Sequence, residues 1–182
     1  MPDETDAGVV IRTLGRPGDL GWVVMAHGEV YAAEFGWDTT FEALVARIVA
    51  DYATAHDPGR ETAWIAEIDG QRTGCIFCVA DDDPRTAKLR ILLVHPDGRG
   101  HGLGGRLVDA SLQFARNAGY RRIRLWTNDP LTAARRIYLN RGFQLVEEES
   151  HHSFGADLIG QVYELDLTRR PPTDQISRHA SH

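Results

Sequence analysis

Residues 88–118 decide the fold of this chain, and they read KLRILLVHPDGRGHGLGGRLVDASLQFARNA. An apolar run from Leu89 to Val94 stops at Pro96, and a short apolar run bounded by a turn signal predicts a buried strand. Five glycines follow within eight positions: Gly98, Gly100, Gly102, Gly104 and Gly105. Apolar residues then recur at spacings of three and four, which predicts one face of a helix. They are Leu103, Leu107, Ala110, Phe114 and Ala118.

A strand, a glycine-rich loop and a helix N-terminus together form a binding site for phosphate. The first N–H groups of a helix have no partner inside it, and the helix dipole favours negative charge there. Glycines let a pyrophosphate approach the backbone closely. The guanidinium of Arg99 can add two parallel hydrogen bonds to a phosphate. The stretch therefore predicts a ligand that carries phosphate.

Two motif patterns describe this loop. Residues 100–105 satisfy G-x-G-x-x-G, the fingerprint of dinucleotide-binding domains, but five residues separate them from the strand. The loop also follows Arg99-x-x-Gly102-x-Gly104, which resembles the acyl-CoA pyrophosphate loop of the GNAT (GCN5-related) N-acetyltransferases. Residues 126–128 and 133–143 resemble the later strand, helix and terminal Gly-Phe of that family. Together the motifs cover residues 88–145 and favour the GNAT interpretation.

A looser resemblance extends over most of the chain. Residues 16–167 resemble the acetyltransferase half of MarR-type regulator–acetyltransferase fusions. That resemblance keeps open a non-catalytic acetyl-CoA sensor as a second hypothesis. A dinucleotide-binding oxidoreductase, with Asp129 as its ribose-binding acid, is a third.

The composition is that of a single globular domain. The chain has 182 residues, of which 42% are hydrophobic and 25% charged. A formal net charge of −6 argues against nucleic acid or an anionic membrane as the main partner. No apolar stretch approaches the roughly 18–20 residues of a transmembrane helix, and residues 1–8 lack the plan of a signal peptide. We expect a cytoplasmic protein, with a homodimer as a possible assembly.

Two sequence features invite a metal interpretation. Cys75 and Cys78 form a C-x-x-C pattern, but positions three apart on a strand point to opposite faces. No second cysteine pair completes a four-ligand zinc site, so we expect two buried thiols. The acidic turn of residues 81–84 is expected to be a solvated loop. We therefore predict no metal.

Periodicity and turn signals predict the order β-α-α-β-β-β-α-β-α-β-β over residues 9–167. We expect a loose N-terminus over residues 1–8, a loop over 150–159 and a disordered tail over 168–182. Asp19 is the expected cap of the first helix, and Thr39 or Thr40 that of the second. The order gives an α/β fold with a mixed sheet and helices on both faces, which agrees with the GNAT fold. The family resemblance implies two strands that splay apart around the ligand.

The resemblance also implies an acetyl-CoA site. Backbone amides of the loop would bind the pyrophosphate, the strand that ends at Val94 would pair with the pantetheine arm, and an amide near Leu93 would face the thioester. Asn128 would bond a pantetheine amide, or else serve as a turn-forming residue. The implied residues are Leu92, Leu93, Val94, Arg99, Gly100, His101, Gly102, Leu103, Gly104, Asn128, Arg135 and Tyr138.

Tyr138 is the candidate general acid. Its place in Ile137-Tyr138-Leu139 matches the family position at which a tyrosine hydroxyl meets the CoA sulfur. A phenol is a suitable donor to a thiolate. The alternative is an aromatic side chain that packs under Phe143.

The acceptor site and the base are less well defined. His27, Tyr31 and Glu34 share one face of the first helix, where a core helix should be apolar. They form one candidate acceptor site, and His151, His152 and Asp157 form a second. Glu34 and His152 are the candidate bases, although an amine that loses its proton to water needs none. The expected acceptor is a primary amine on a small molecule or a protein.

Overall fold

The computed structural model describes residues 8–169 and confirms the predicted order of elements. The strands are β1 (Val9–Thr13), β2 (Thr62–Ile68), β3 (Gln71–Ala80), β4 (Thr86–Val94), β5 (Arg122–Asn128), β6 (Gln144–Ser153) and β7 (Ala156–Asp166). The helices are α1 (Asp19–Phe35), α2 (Thr39–Ala55), α3 (Leu103–Asn117) and α4 (Thr132–Asn140). The predictions for residues 1–8 and 168–182 fall largely outside the described residues. Over residues 8–169, no helix is both long and apolar enough to cross a membrane.

The seven strands form one mixed sheet in the order β1-β2-β3-β4-β5-β7-β6. Within the described chain, β4 and β5 are the one parallel pair, and every other neighbouring pair is antiparallel. Helices α1 and α2 cover one face, and α3 and α4 cover the other. Cys75 packs in the α1–α2 core and Cys78 in the α3–α4 core, as the strand alternation of β3 predicts.

The predicted N-terminal caps of the first two helices, α1 and α2, are wrong. Gly18 caps α1 in a left-handed conformation, and Asp19 is the first helical residue. The Asp19 carboxylate is buried and accepts hydrogen bonds from Arg12 at 2.8 Å and from Arg72 at 2.8 Å. At α2 the cap is Asp38, whose Oδ1 accepts from the Thr40 amide at 3.0 Å. At α2 the carboxylate that directly precedes Thr39 is thus better placed to accept, whereas at α1 the cap is a glycine without a side-chain hydrogen bond and the Asp19 carboxylate is engaged by the two arginines.

The loop predicted over residues 150–159 is also wrong. β6 continues to Ser153 and β7 begins at Ala156, so a two-residue turn joins them. Both turn residues, Phe154 and Gly155, have positive φ, at 59° and 78°, which is typical of the tight turns of β-hairpins. Most β6 side chains are exposed, so the backbone ladder to β7 holds this strand. An apolar alternation, the usual strand signal, is absent from its sequence.

Candidate active site

A gap opens between β4 and β5 in the middle of the sheet. The two strands pair only from Thr86 to Leu89 against Arg122 to Leu125. Both strands continue beyond that point, β4 to Val94 and β5 to Asn128, but they no longer pair with each other. The backbone edge of each strand is therefore free to pair with a ligand in the gap.

A β-bulge in β4 lies beside this gap. Cys75 pairs with Leu93 and Phe77 with Arg90, so two β4 residues oppose one β3 residue. Ile91 has a φ of 46°, which is unusual for a β-branched residue. The Tyr31 hydroxyl lies 3.4 Å from the Leu92 carbonyl and donates to it. The bulge therefore turns the β4 backbone out of its regular ladder where the two strands separate.

The glycine-rich loop leads from β4 into α3. Gly102 precedes the helix with a φ of 65°, and the Arg106 amide bonds the Gly102 carbonyl at 3.1 Å. The amides of Leu103 and Gly104 therefore precede the helix's own hydrogen bonds and are available to an anion. A Cβ on Gly104 would lie 2.6 Å from Cδ1 of Ile137, so glycine lets α3 pack closely on α4.

The loop borders a cavity of about 520 Å³, which we call the loop cavity. Its walls come from α1, the end of β4, the loop and the start of α4. Of the predicted coenzyme residues, it is lined by Leu92, Leu93, Val94, Arg99, Gly100, Gly102, Leu103 and Gly104. His101 does not line it, and its buried Nδ1 has no hydrogen-bond partner within residues 8–169. The amides, the glycines and one guanidinium suit a pyrophosphate.

Glu34 lies in the loop cavity as well. Its carboxylate forms an ion pair with the Arg99 guanidinium. Glu34, the predicted base, is therefore in contact with Arg99, the residue predicted to bind phosphate. Any phosphate that reaches Arg99 competes with this carboxylate.

A second cavity of about 430 Å³ is lined by residues of both β4 and β5, and we call it the aromatic cavity. The two cavities share Tyr31, Leu92, Leu131 and Ala134. Its aromatic walls are Tyr31, Trp37, Phe41, Trp126, Tyr138 and Phe154. The ring centroids of Tyr31 and Phe41 are 4.6 Å apart, and those of Trp37 and Phe154 are 5.0 Å apart.

His27 lines the aromatic cavity and is 1% exposed. Its Nδ1 lies 2.7 Å from the Val23 carbonyl, and its Nε2 has no hydrogen-bond partner within residues 8–169. Burial lowers the pKa of His27 to about 4, although the carbonyls of Val23 and Ile91 act in the opposite direction. The imidazole is therefore neutral at pH 7.

Tyr138 also lines the aromatic cavity, and its side chain is nearly completely buried. Its ring packs against Phe143 and Tyr163, with centroid distances of 5.7 and 6.4 Å. Burial raises the pKa of Tyr138 well above its usual range, so its hydroxyl stays protonated at neutral pH. Tyr138 therefore both packs against Phe143 and lines the cavity, so the two interpretations of this residue do not exclude each other.

The remaining predicted residues have other contacts. The Asn128 side-chain oxygen lies 2.8 Å from Nε2 of His151, and the Asn128 carbonyl accepts from the Leu131 amide in a turn. Arg135 donates to the Asp129 carbonyl at 2.9 Å and lines neither cavity. His152 and Asp157 form a cross-strand pair at 2.7 Å on the surface, with side chains 69% and 96% exposed. Neither cavity includes them.

A family model for the acetyltransferase (GNAT) family matches residues 24–143, about two thirds of the chain. The chain belongs to the GNAT acetyltransferase family. The matched region contains β4, the loop, α3, β5 and α4, which contribute walls to the two cavities.

Individual GNAT relatives agree with this assignment. An uncharacterized N-acetyltransferase of Schizosaccharomyces pombe is 30% identical over 145 residues, which cover 79% of this chain and 88% of the relative. N-acetyltransferase 8F1 of Rattus norvegicus is 33% identical over 104 residues, but the match covers only 55% of this chain and 45% of that protein. The chain thus spans less than half the length of that mammalian relative.

A solved structure has the same fold. The putative acetyltransferase yncA from Salmonella typhimurium, solved with its cofactor acetyl-CoA, aligns with a TM-score of 0.67 at 20% identity. The alignment covers 96% of this chain and 97% of that one.

The dinucleotide interpretation of the loop is wrong. A dinucleotide-binding fold is built on a mostly parallel sheet, whereas the described sheet of this GNAT protein has one parallel pair. Asp129, the residue offered for a ribose, instead accepts from the Ile159 amide at 2.8 Å. Across residues 8–169, no three His, Cys, Asp or Glu side chains are grouped as metal ligands.

Several residues of the aromatic cavity carry no sequence motif that assigns them to the site. Trp37 and Phe154 come from two turns that are far apart in the sequence, so no local pattern joins them. Arg90 also lines the cavity. It is the single charged residue in the apolar run from Leu89 to Val94. That charge within an apolar strand was the sequence signal that could have marked Arg90 as a site residue.

Proposed function

We propose that this GNAT protein transfers acetyl from acetyl-CoA to a primary amine by direct attack, without a covalent enzyme intermediate. The main support is that the loop cavity and the aromatic cavity meet at Tyr31 and Leu92, beside the gap between β4 and β5. A thioester in one cavity and an amine in the other would approach each other at that junction. Holding both in place removes much of the entropic barrier to their reaction.

The loop cavity provides the groups that bind the coenzyme. Acetyl-CoA, when bound, supplies the thioester that the amine attacks. Free amides at the start of α3 and the Arg99 guanidinium suit its pyrophosphate. The unpaired β4 edge over residues 92–94 suits the pantetheine amides, in the way that a peptide adds a strand to a sheet. An amide at the bulge near Leu93 suits polarisation of the thioester carbonyl.

Tyr138 is the proposed proton donor to the departing thiolate. Its hydroxyl stays protonated because burial raises its pKa, and its side chain reaches the aromatic cavity from α4. A positioned general acid typically contributes a factor of about 10²–10⁴ to the rate.

We assign no protein base. Glu34 is paired with Arg99 in the loop cavity, and His152 lies on the surface. A His27 pKa of about 4 makes that imidazole a poor acceptor for an ammonium proton. The amine therefore loses its proton to water before the attack. A cytoplasmic location and a homodimer stay predictions.

The test begins with calorimetric titration of acetyl-CoA into wild type and Arg99→Ala, with NADH in a parallel titration. We expect micromolar binding of acetyl-CoA that weakens in the variant, and no binding of NADH. A panel of primary amines is then screened by thiol release. Absence of acetyl-CoA binding contradicts the loop assignment. Binding with no amine-dependent thiol release instead favours the acetyl-CoA sensor that the regulator-fused domains suggest.

A further inference from the structure

Among the described residues, three cationic side chains line the aromatic cavity, and two of them have acidic partners. Nζ of Lys88 lies 3.5 Å from the Asp81 carboxylate. Arg124 lies 3.5 Å from Glu147 and 3.8 Å from Glu164. Both charges are therefore largely compensated within the protein.

Arg90 is the exception. Within residues 8–169 its guanidinium has neither a hydrogen bond nor an ion pair, and it is partly buried in the cavity wall. Burial lowers the pKa of Arg90, and only the more distant carboxylates of Asp51 and Asp81 oppose that effect. A partly desolvated charge without a partner is unfavourable, so an anion in the cavity would stabilise it.

The position of Arg90 relates this charge to the reacting centre. Arg90 precedes Leu92 by two residues on β4, and Leu92 lies where the two cavities meet. In an extended strand two residues span about 6–7 Å, and both residues line the aromatic cavity. A small acceptor can therefore place its amine at the junction and an anionic group on Arg90 at the same time.

Carboxylates suited to a cationic acceptor are not free in this cavity. Among the lining residues that the structure describes, Asp81 is the only carboxylate, and Lys88 neutralises it. Glu34 lies in the loop cavity, paired with Arg99. The uncompensated charge is therefore positive, and the surrounding wall is apolar and aromatic.

We propose that the acceptor is a small primary amine that also carries a carboxylate, and that Arg90 binds this carboxylate. The aromatic walls select an apolar or aromatic body, so amino acids with such side chains are the substrate class. This inference rests on the proposed transferase function for the identity of the reacting group. The carboxylate site itself can be measured without turnover.

The experiment compares amines that differ only in the carboxylate: L-phenylalanine against phenethylamine, and L-leucine against isopentylamine. Each is assayed by thiol release from acetyl-CoA and by calorimetric binding to the CoA-loaded protein. The variants are Arg90→Gln and Arg90→Lys. Arg136→Gln is the matched control, because Arg136 is exposed on α4 and lines neither cavity.

For wild type and Arg136→Gln we expect the carboxylate member of each pair to have a kcat/KM at least tenfold higher. A hydrogen bond to a charged group typically contributes about 1.5–3 kcal/mol, which is roughly 10- to 150-fold. In Arg90→Gln the preference should fall to within about threefold, with acetyl-CoA affinity unchanged. Arg90→Lys should restore part of it, because lysine keeps the charge but loses the paired geometry.

Two results overturn the inference: equal use and binding of both members of each pair by wild type, or a preference that Arg90→Gln retains. Carboxylate binding that depends on Arg90 without any thiol release would support the site and contradict the transferase. Absence of carboxylate binding that depends on Arg90, with phenethylamine acetylated, would contradict the site and support the transferase.

Discussion

Burial of His27 makes the stability of this protein depend on pH in a defined range. The pKa of His27 falls from an ordinary 6.5 to about 4 in the folded protein, chiefly because of burial. Between these values the unfolded chain binds a proton that the folded chain does not. The free energy of unfolding therefore falls as the pH is lowered through this range.

The size of the effect follows from the shift. One pKa unit corresponds to about 1.36 kcal/mol, so complete protonation of His27 should lower the free energy of unfolding by roughly 3 kcal/mol. About 2 kcal/mol of it should be lost between pH 7.5 and pH 5. This stability is present above pH 6.5, where His27 is neutral in both the folded and the unfolded chain, and is lost as the pH falls through about 4.

The assay is urea unfolding at 25 °C, followed by tryptophan fluorescence, at several pH values from 7.5 to 5. His27→Phe keeps a ring beside Tyr31 and Phe41 but removes the titration. His27→Gln serves as a second variant if the larger ring disturbs packing. The quantity compared is the change in stability with pH, which does not depend on the baseline cost of either substitution.

We expect wild type to lose about 2 kcal/mol more than either variant over this range. Equal pH dependence in all three proteins would refute the reasoning. An NMR titration that gives His27 a pKa near 6.5 in the folded state would refute it as well.

Three further predictions concern single contacts. Asp19→Asn should lower the free energy of unfolding by about 3–5 kcal/mol in urea, because it removes the buried negative charge that Arg12 and Arg72 share; a loss below about 1 kcal/mol would contradict this. Glu34→Gln should tighten acetyl-CoA binding about two- to fivefold in calorimetry, because it frees Arg99 from a partly exposed pair; weaker binding would indicate that Glu34 itself holds the ligand. Tyr138→Phe should lower kcat at least tenfold with acetyl-CoA affinity unchanged, and a loss below about twofold would exclude Tyr138 as the acid.

Local sequence patterns determined the order of elements and the position of the coenzyme loop. The apolar run of β4, the glycines after it and the helical periodicity of α3 each lie within one short segment. Strand, loop and helix signals of this kind depend on neighbours in sequence, so they can be read without a structure. The same reasoning placed Cys75 and Cys78 on opposite faces of β3.

Only the tertiary structure decided which of the polar residues share a cavity. Glu34 and Arg99 are 65 positions apart and form an ion pair. The predicted base therefore contacts the residue predicted to bind phosphate. Arg90 became a candidate binding residue because the other two cations of its cavity have acidic partners and it has none among the described residues. Pairing and burial are properties of residues that the fold brings together from distant segments. Sequence periodicity reports which face of an element a residue occupies, but the partner it meets there depends on how the elements pack.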